Sequence, residues 1–317
     1  MARRVKEKFA YAADTSGYVL ALKDSHSDTA TREKMTKVGH IMQLIITYAF
    51  LAVMGVIIIF PFYWMIITSL KSGAEIQRVQ QTFFPEVIMW SNYAEAASRL
   101  NFAVLIKNTL IVGVISTIGT LLTTILAAYA FARLTFKGRD TVFMVLLGSM
   151  MIPGEMMVVS NYISVSRLGW LTSDFGMFTS MIVPFWVSIF YIYLLRQNFK
   201  QVPNELYLAA KVDGKSDWEF LWKVMVPLAM PTLTTIFILK LMGAWNSYVW
   251  PKLIVKDKEH LWLITNGLRN KFETTTDANM FGVQMAATVM VTVPLLLLFI
   301  FFRKYIMRGV GRAGIKG

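Results

Sequence analysis

The sequence predicts an all-α membrane protein with six transmembrane helices, and three observations carry that prediction. First, 56% of the 317 residues are hydrophobic and 16% are charged, at a mean hydropathy of +0.52. A soluble domain has about a quarter of its residues charged. Second, several stretches reach the roughly 20 apolar residues of a bilayer span without a single charge. Third, Lys and Arg gather at the ends of those stretches, which is how charge marks membrane topology. The net charge of +13 therefore reads as topology and not as a nucleic-acid surface. The chain has no cysteine, and its three histidines, His26, His40 and His260, are scattered. Disulfides, thiol catalysis and thiolate metal sites are excluded. No histidine-based centre, bound metal or resident cofactor is expected.

Residues 1–39 are polar and of mixed charge, and they lack the apolar core of a signal peptide. They read as a cytoplasmic amino-terminal arm. It is either a loosely ordered tail or a segment touching lipid headgroups or a partner, with Phe9, Tyr11, Tyr18, Val19 and Leu20 towards the membrane. A membrane domain follows over 40–308, and a basic tail over 309–317. The first span, 41–70, has no charge and ends in an aromatic belt of Phe62, Tyr63 and Trp64. Residues 71–101 read as a polar outer connection with Pro85 and Trp90. The second span, 103–132, ends at Arg133, Lys137 and Arg139. The third, 141–162, is broken at Pro153 and Gly154, and an outer loop with Gly169 and Trp170 leads to residue 174. The fourth, 175–195, ends at Arg196 and Lys200. The fifth, 226–250, is interrupted by Lys240. A charged loop leads to the sixth, 280–302, which ends at Arg303 and Lys304. With the amino terminus inside, six crossings put the arm, the 133–139 turn, the segment 196–223 and the tail on one side. Those pieces hold most of the 32 Lys and Arg residues, so both termini are expected in the cytoplasm.

The polar island at 203–225 is the most informative stretch. Pro203 sits where a first helical turn tolerates proline. Gly214 suits the left-handed residue that ends a helix. Ser216 and Glu219 have the spacing of a capping box that starts the next helix. Pro227 then stops or kinks the chain. Two short helices around a glycine turn, held among spans, make a docking surface for another protein. Gly214, Lys215 and Ser216 do not form a nucleotide-binding loop, because Ala209 and Ala210 precede them where such a loop needs a glycine, and no strand leads in. The chain is not expected to hydrolyse ATP. It shows no paired carboxylates and no hydrolase triad.

Ala209, Ala210, Gly214, Val224, Val226 and Pro227 stand in the order and spacing of the coupling motif of bacterial ABC importer permeases. Glu205 and Asp213 flank it. Further pieces follow in order: Pro61 to Lys71, Ala128 to Arg139, Met151-Ile-Pro153, Trp245-Asn-Ser-Tyr-Val-Trp-Pro251, and Arg308-Gly309 through Lys316-Gly317. Over about residues 41–317 the chain resembles the carbohydrate-uptake permeases of the maltose-transporter type, specifically the six-span partner. The resemblance implies the type I importer permease fold and a place in the bacterial inner membrane. It implies a second, homologous permease, two ATPase subunits that bind ATP and Mg, and an extracytoplasmic sugar-binding protein. The island would be the coupling element gripped by the ATPase, with Ala209 and Ala210 allowing close approach. One departure stands out: Leu208 occupies the position of the motif's glutamate. The negative partner then comes from Glu205, Asp213, Asp217 or Glu219, or the contact is apolar.

Lys240 lies fourteen residues beyond Val226, and Glu155 fourteen beyond Thr141. Each is roughly 21 Å along a helix at 1.5 Å per residue. A charge at that depth faces a cavity or a partner, so Lys240 is expected on a substrate pathway, paired with Glu155 or reading an acidic sugar. A snorkelling lysine is the plain alternative. Trp245, Asn246 and Tyr248 add aromatic faces and an amide suited to a sugar path, whereas Trp250 reads as interface belt. The competing functions are a permease for a non-sugar solute and a gradient-driven secondary transporter, for which Lys240 and Glu155 are the support.

Overall fold

A computed structural model describes residues 40–272 and 277–311. The amino-terminal arm and the end of the basic tail lie outside the described residues. The described elements are helical, and the chain divides into two units, Met1–Trp64 and Met65–Gly317. Helix α1, His40–Ser69, supplies the described part of the first unit. None of its side chains over 40–64 is buried. Phe60 stacks on Trp64 with ring centroids 5.8 Å apart.

The second unit is organised around one long helix. After the short α2 (Gly73–Ile76) and α3 (Ser91–Arg99) comes α4, Phe102–Arg133. Then follow α5 (Arg139–Ser149), α6 (Met157–Arg167), α7 (Asp174–Ile182), α8 (Ile189–Lys200), α9 (Asn204–Val212), α10 (Asp217–Phe220) and α11 (Val226–Leu228). The set closes with α12 (Met230–Trp245), α13 (Val249–Val255), α14 (Ile264–Phe272) and α15 (Ala278–Gly311). Among the described residues, three helices are long and apolar enough to cross a membrane alone, and three bent pairs bring the number to as many as six.

The bent pairs explain where the sequence periodicity misplaced boundaries. The third expected span is α5 plus Gly154–Arg167, bent by 80° at the Met150–Pro153 break. Residues 163–167, expected in an outer loop, belong to α6. The fourth is α7 continued to Phe185, then α8, bent by 45°. The fifth bends by 76° at Ala229 and ends at Trp245, with Asn246–Tyr248 unwound before α13. Proline accounts for part of this: Pro184 and Pro231 sit in first turns, where no N–H is needed. Residues 71–101 are more structured than an outer connection requires. Asn92 donates its amide to the carbonyls of Ser69 and Lys71, and Glu75 accepts the Thr82 hydroxyl. α2 and α3 pack against α15.

α4 carries a core at each end. Near its start, Leu105 and Val112 pack with Met181, Ile254, Ile264 and Val283. Near its end, Ile125, Ala128 and Tyr129 pack with Leu195, Phe199, Phe220 and Leu233. Between them its buried positions are small residues (Gly113, Ser116, Thr117, Gly119, Thr120 and Thr124), which let membrane helices approach closely. A Cβ at Gly113 would come within 2.9 Å of Leu241 on α12. One at Gly119 would overlap the Trp186 indole, in the break between α7 and α8.

Gly119→Ala should therefore destabilise the fold by about 1–3 kcal/mol, the usual cost of overpacking. Gly148→Ala has open space and should be nearly neutral. Thermal melts of both purified variants check this, and equal melting temperatures would contradict the close approach.

Candidate functional site

The island builds from its turn. α9 ends at Val212, and Gly214 adopts φ +73°, the left-handed conformation that a side chain would strain. The Lys215 N–H reaches the Ala210 carbonyl at 2.9 Å, and the Gly214 N–H reaches the Lys211 carbonyl at 3.0 Å. These nested bonds form a Schellman motif. Ser216 then starts α10 with the expected capping box, its hydroxyl accepting from the Glu219 N–H at 3.2 Å while Glu219 accepts from the Ser216 N–H. Leu221–Met225 is π-helical before α11. Such wide turns are inserted where function keeps them against their cost.

Asp217 pins this element to α4. Its Oδ1 accepts the Tyr207 hydroxyl at 2.9 Å and the Tyr129 hydroxyl at 3.2 Å, and Lys211 Nζ lies 3.2 Å away. These partners, Tyr207 foremost, hold the Asp217 carboxyl below the usual carboxylate range, and the same contact raises Lys211. Tyr207 meets Phe220 edge-on at 5.2 Å, tying α9 to α10. A second tie comes from the last residue of α4: Arg133 donates to the carbonyls of Phe199 and Val202. Arg196 on α8 returns a bond to the Phe131 carbonyl at 3.1 Å.

The exposed face of the island is mixed. Glu205, Leu206, Leu208, Ala209, Val212 and Asp213 face out, with Leu208 at 56% and Val212 at 88% exposure. Ala210 is buried against the lower core of α4, and with Ala209 it lines a groove beside Leu206, Asp213 and Val224. Pro227, expected to stop or kink the chain, sits within α11, and the bend follows it at Ala229. Trp218, which sequence reasoning passed over, is 61% exposed and stacks edge-on with Trp222 at 5.6 Å.

The second candidate site is a cavity of about 380 Å³ between α4, the α7–α8 break and α12. Lys240 lines it, along with Ser116, Phe185, Ser188, Tyr191, Ser247 and Trp250. The expected Lys240–Glu155 pair does not form. Lys240 Nζ donates instead to the Phe185 carbonyl at 2.9 Å, which the Thr120 hydroxyl shares. Glu155 is exposed in the turn Gly154–Met156. Trp245 is likewise off the path, buried in the upper core, where its carbonyl accepts the Thr265 hydroxyl at 2.7 Å. Asn246 is exposed and bonds back to the Met242 carbonyl at 3.0 Å. Tyr248 stacks under Arg269, 4.5 Å from its ring centroid. Trp250, read as interface belt, is buried with its indole N–H on the Ser180 carbonyl at 3.0 Å. The serines were missed because isolated hydroxyls in apolar runs carry no spacing signal.

Comparison with known proteins gives a concordant picture. The sequence model of a family described as binding-protein-dependent transport system inner membrane component matches residues 125–312. The lactose transport system permease protein LacG of Rhizobium radiobacter is 27% identical over 278 residues, 87% of this chain and 98% of that protein. The diacetylchitobiose uptake system permease protein NgcG of Streptomyces coelicolor is 29% identical over 271 residues, 84% of this chain and 87% of that one. A crystal structure of a bacterial ABC transporter involved in the import of the acidic polysaccharide alginate contains a chain of the same fold. It aligns with TM-score 0.73 at 24% identity over 82% of this chain and 95% of that chain.

The Asp217 joint predicts a pH dependence. Its folded-state pKa lies below the unfolded value, so the carboxylate contributes stability above the unfolded value and loses it as pH falls through the folded one. Between about pH 5 and about pH 2, a window that starts above the unperturbed Asp value of about 3.9 and runs down through the lowered folded one, the melting temperature of the wild type should fall more steeply than that of Asp217→Asn. Parallel slopes would remove Asp217 from the joint.

Proposed function

Because this chain belongs to the family of inner membrane components of binding-protein-dependent transport systems, we infer that it is a permease subunit of an ATP-driven ABC importer of oligosaccharides or other carbohydrates. The observation that carries this reading is the family match, which spans the island and the spans on either side of it. The carbohydrate cargo rests on the relatives, named for lactose and diacetylchitobiose. The chain itself catalyses nothing. ATP and Mg belong to the ATPase pair, which grips the island from the cytoplasm. A second, homologous permease completes the pore, and a sugar-binding protein delivers cargo on the outer side. Both termini lie in the cytoplasm.

Transport proceeds by alternating access. ATP binding brings the ATPase subunits together, and docking of the loaded binding protein favours the outward-open pore. Hydrolysis and release return it inward. The island transmits the movement because it is rigid within and tied at two points: Asp217 to Tyr129, and Arg133 to the end of α8. Leu208, Leu206 and Val212 give the grip an apolar face, with Glu205 and Asp213 beside it. Of the residues expected on the cargo path, Lys240 lines the cavity, and Glu155, Trp245, Asn246 and Tyr248 do not.

Gly214→Pro tests the coupling role, since proline cannot adopt a positive φ. Copurification of the variant with its ATPase and a loss of ATP-driven sugar uptake of at least tenfold in proteoliposomes are expected. Full coupled uptake in that variant would refute the role of the turn. Uptake that persists without ATP and follows a proton or sodium gradient would refute the importer reading itself.

A further inference from the structure

The cavity around Lys240 has more chemistry than a passage for neutral sugar needs. Among the described residues that line it, Lys240 alone is charged, and no carboxylate lines the cavity with it. A lysine ammonium has three donors. One is directed at the Phe185 carbonyl, which anchors the side chain against the wall at the helix break. The Phe185 ring lies 5.6 Å from Nζ and adds a cation–π contact. The remaining donors have no carboxylate partner in the cavity. An ionisable group held inside a membrane domain without a counter-charge marks a ligand or ion path.

The rest of the lining suits a glycoside. Ser116, Ser188 and Ser247 supply small hydroxyls, and Tyr191 and Trp250 supply flat aromatic surface. At about 380 Å³ the cavity falls within the roughly 300–1,000 Å³ of small-molecule sites. Apolar and aromatic walls with a few fixed polar groups are the usual make-up of such sites. The single cation converts that make-up from one for neutral sugars into one for sugars carrying a negative group. In the low-dielectric interior an unscreened opposite charge is favoured far more than in water.

We propose that this cavity is a saccharide site selective for acidic sugars, in which Lys240 receives a uronate carboxylate and Trp250 and Tyr191 receive the ring. The proposal rests on the carbohydrate-importer reading and adds the charge of the cargo to it. Selectivity is then built into the permease as well as into the binding protein that feeds it.

The test uses the complete importer complex in lipid nanodiscs, without binding protein, and isothermal titration with three probes: trigalacturonate, its carboxyl-reduced counterpart galactotriose, and glucose 6-phosphate. Trigalacturonate should bind at least tenfold more tightly than galactotriose. That preference should weaken with added salt, persist in Lys240→Arg and vanish in Lys240→Met. Galactotriose binding as well as trigalacturonate to the wild type would overturn the proposal, as would a preference unchanged in Lys240→Met. Lys240-dependent binding of glucose 6-phosphate alone would overturn it in favour of a phosphate site. In each of these cases ATP-driven uptake of a sugar would leave the importer reading intact. Absence of both sugar binding and sugar uptake would sink that reading instead.

Discussion

Inside a membrane a backbone carbonyl with no partner costs several kcal/mol, because lipid offers no donor. The fold depends on how this chain meets that constraint at its broken helices. The helix of α7 stops at Phe185 and α8 starts at Ile189, so carbonyls are released in the gap. Threonines of α4 cover them: Thr120 donates to the Phe185 carbonyl at 2.9 Å and Thr123 to the Trp186 carbonyl at 2.6 Å. Lys240 of α12 shares the Phe185 carbonyl. The break is thus held from two sides, and Gly119 lets the Trp186 indole approach α4 closely. The cavity forms at this place because a break widens the packing, and its one charge is there because the break supplies an acceptor to hold it.

The same constraint shapes the island end. The fifth helical path begins as a π-helical stretch, turns at Ala229 and restarts at Met230 with proline in its first turn. Leu221 and Met225 are buried in the lower core, so the extra residue of the wide turn is fixed by packing. Asp217 contributes in a different way. Exposed pairs are usually worth under about 1 kcal/mol, and Asp217 is partly exposed. Its effect comes from geometry: one oxygen collects Tyr207, Tyr129 and Lys211, from the island and from α4.

How much of this was legible in the sequence follows from the physics of each part. Long apolar runs announce themselves, so α1, α4 and α15 were readable by length. The turn at Gly214 and the capping box at Ser216 were readable because left-handed geometry and orphan N–H groups demand particular residue types. The sharp breaks at 150–153 and 186–188 were only partly readable. Proline marks a candidate break, but its angle depends on what covers the freed carbonyls, and those partners lie 60 or more residues away. Lys240 was found because a charge in an apolar run is conspicuous. Its partner was mistaken, because equal depth along two ideal helices stops meaning proximity once one helix bends by 80°. Ala210 turned inward for a similar reason: which face of a nine-residue helix is covered depends on the core below it.

Two rods join the island to the cavity, and both pass through α4 or α12. Tyr129, at the island joint, and Thr120, at the helix break, lie nine residues apart on one unbroken helix, or roughly 14 Å at 1.5 Å per residue. α12 starts at the bend beyond the island and carries Lys240 in its later turns. The rods touch where Gly113 admits Leu241, the neighbour of Lys240. A displacement of the island cannot be absorbed by the packed helices, since close-packed interiors shift between discrete arrangements and do not stretch. It is taken up where the helical paths are broken, at the bend at Ala229 and the break at 186–188. The second of these borders the cavity, where the Phe185 carbonyl holds Lys240. Under the proposed coupling, the contact that steadies the cation is therefore the one that the motion strains.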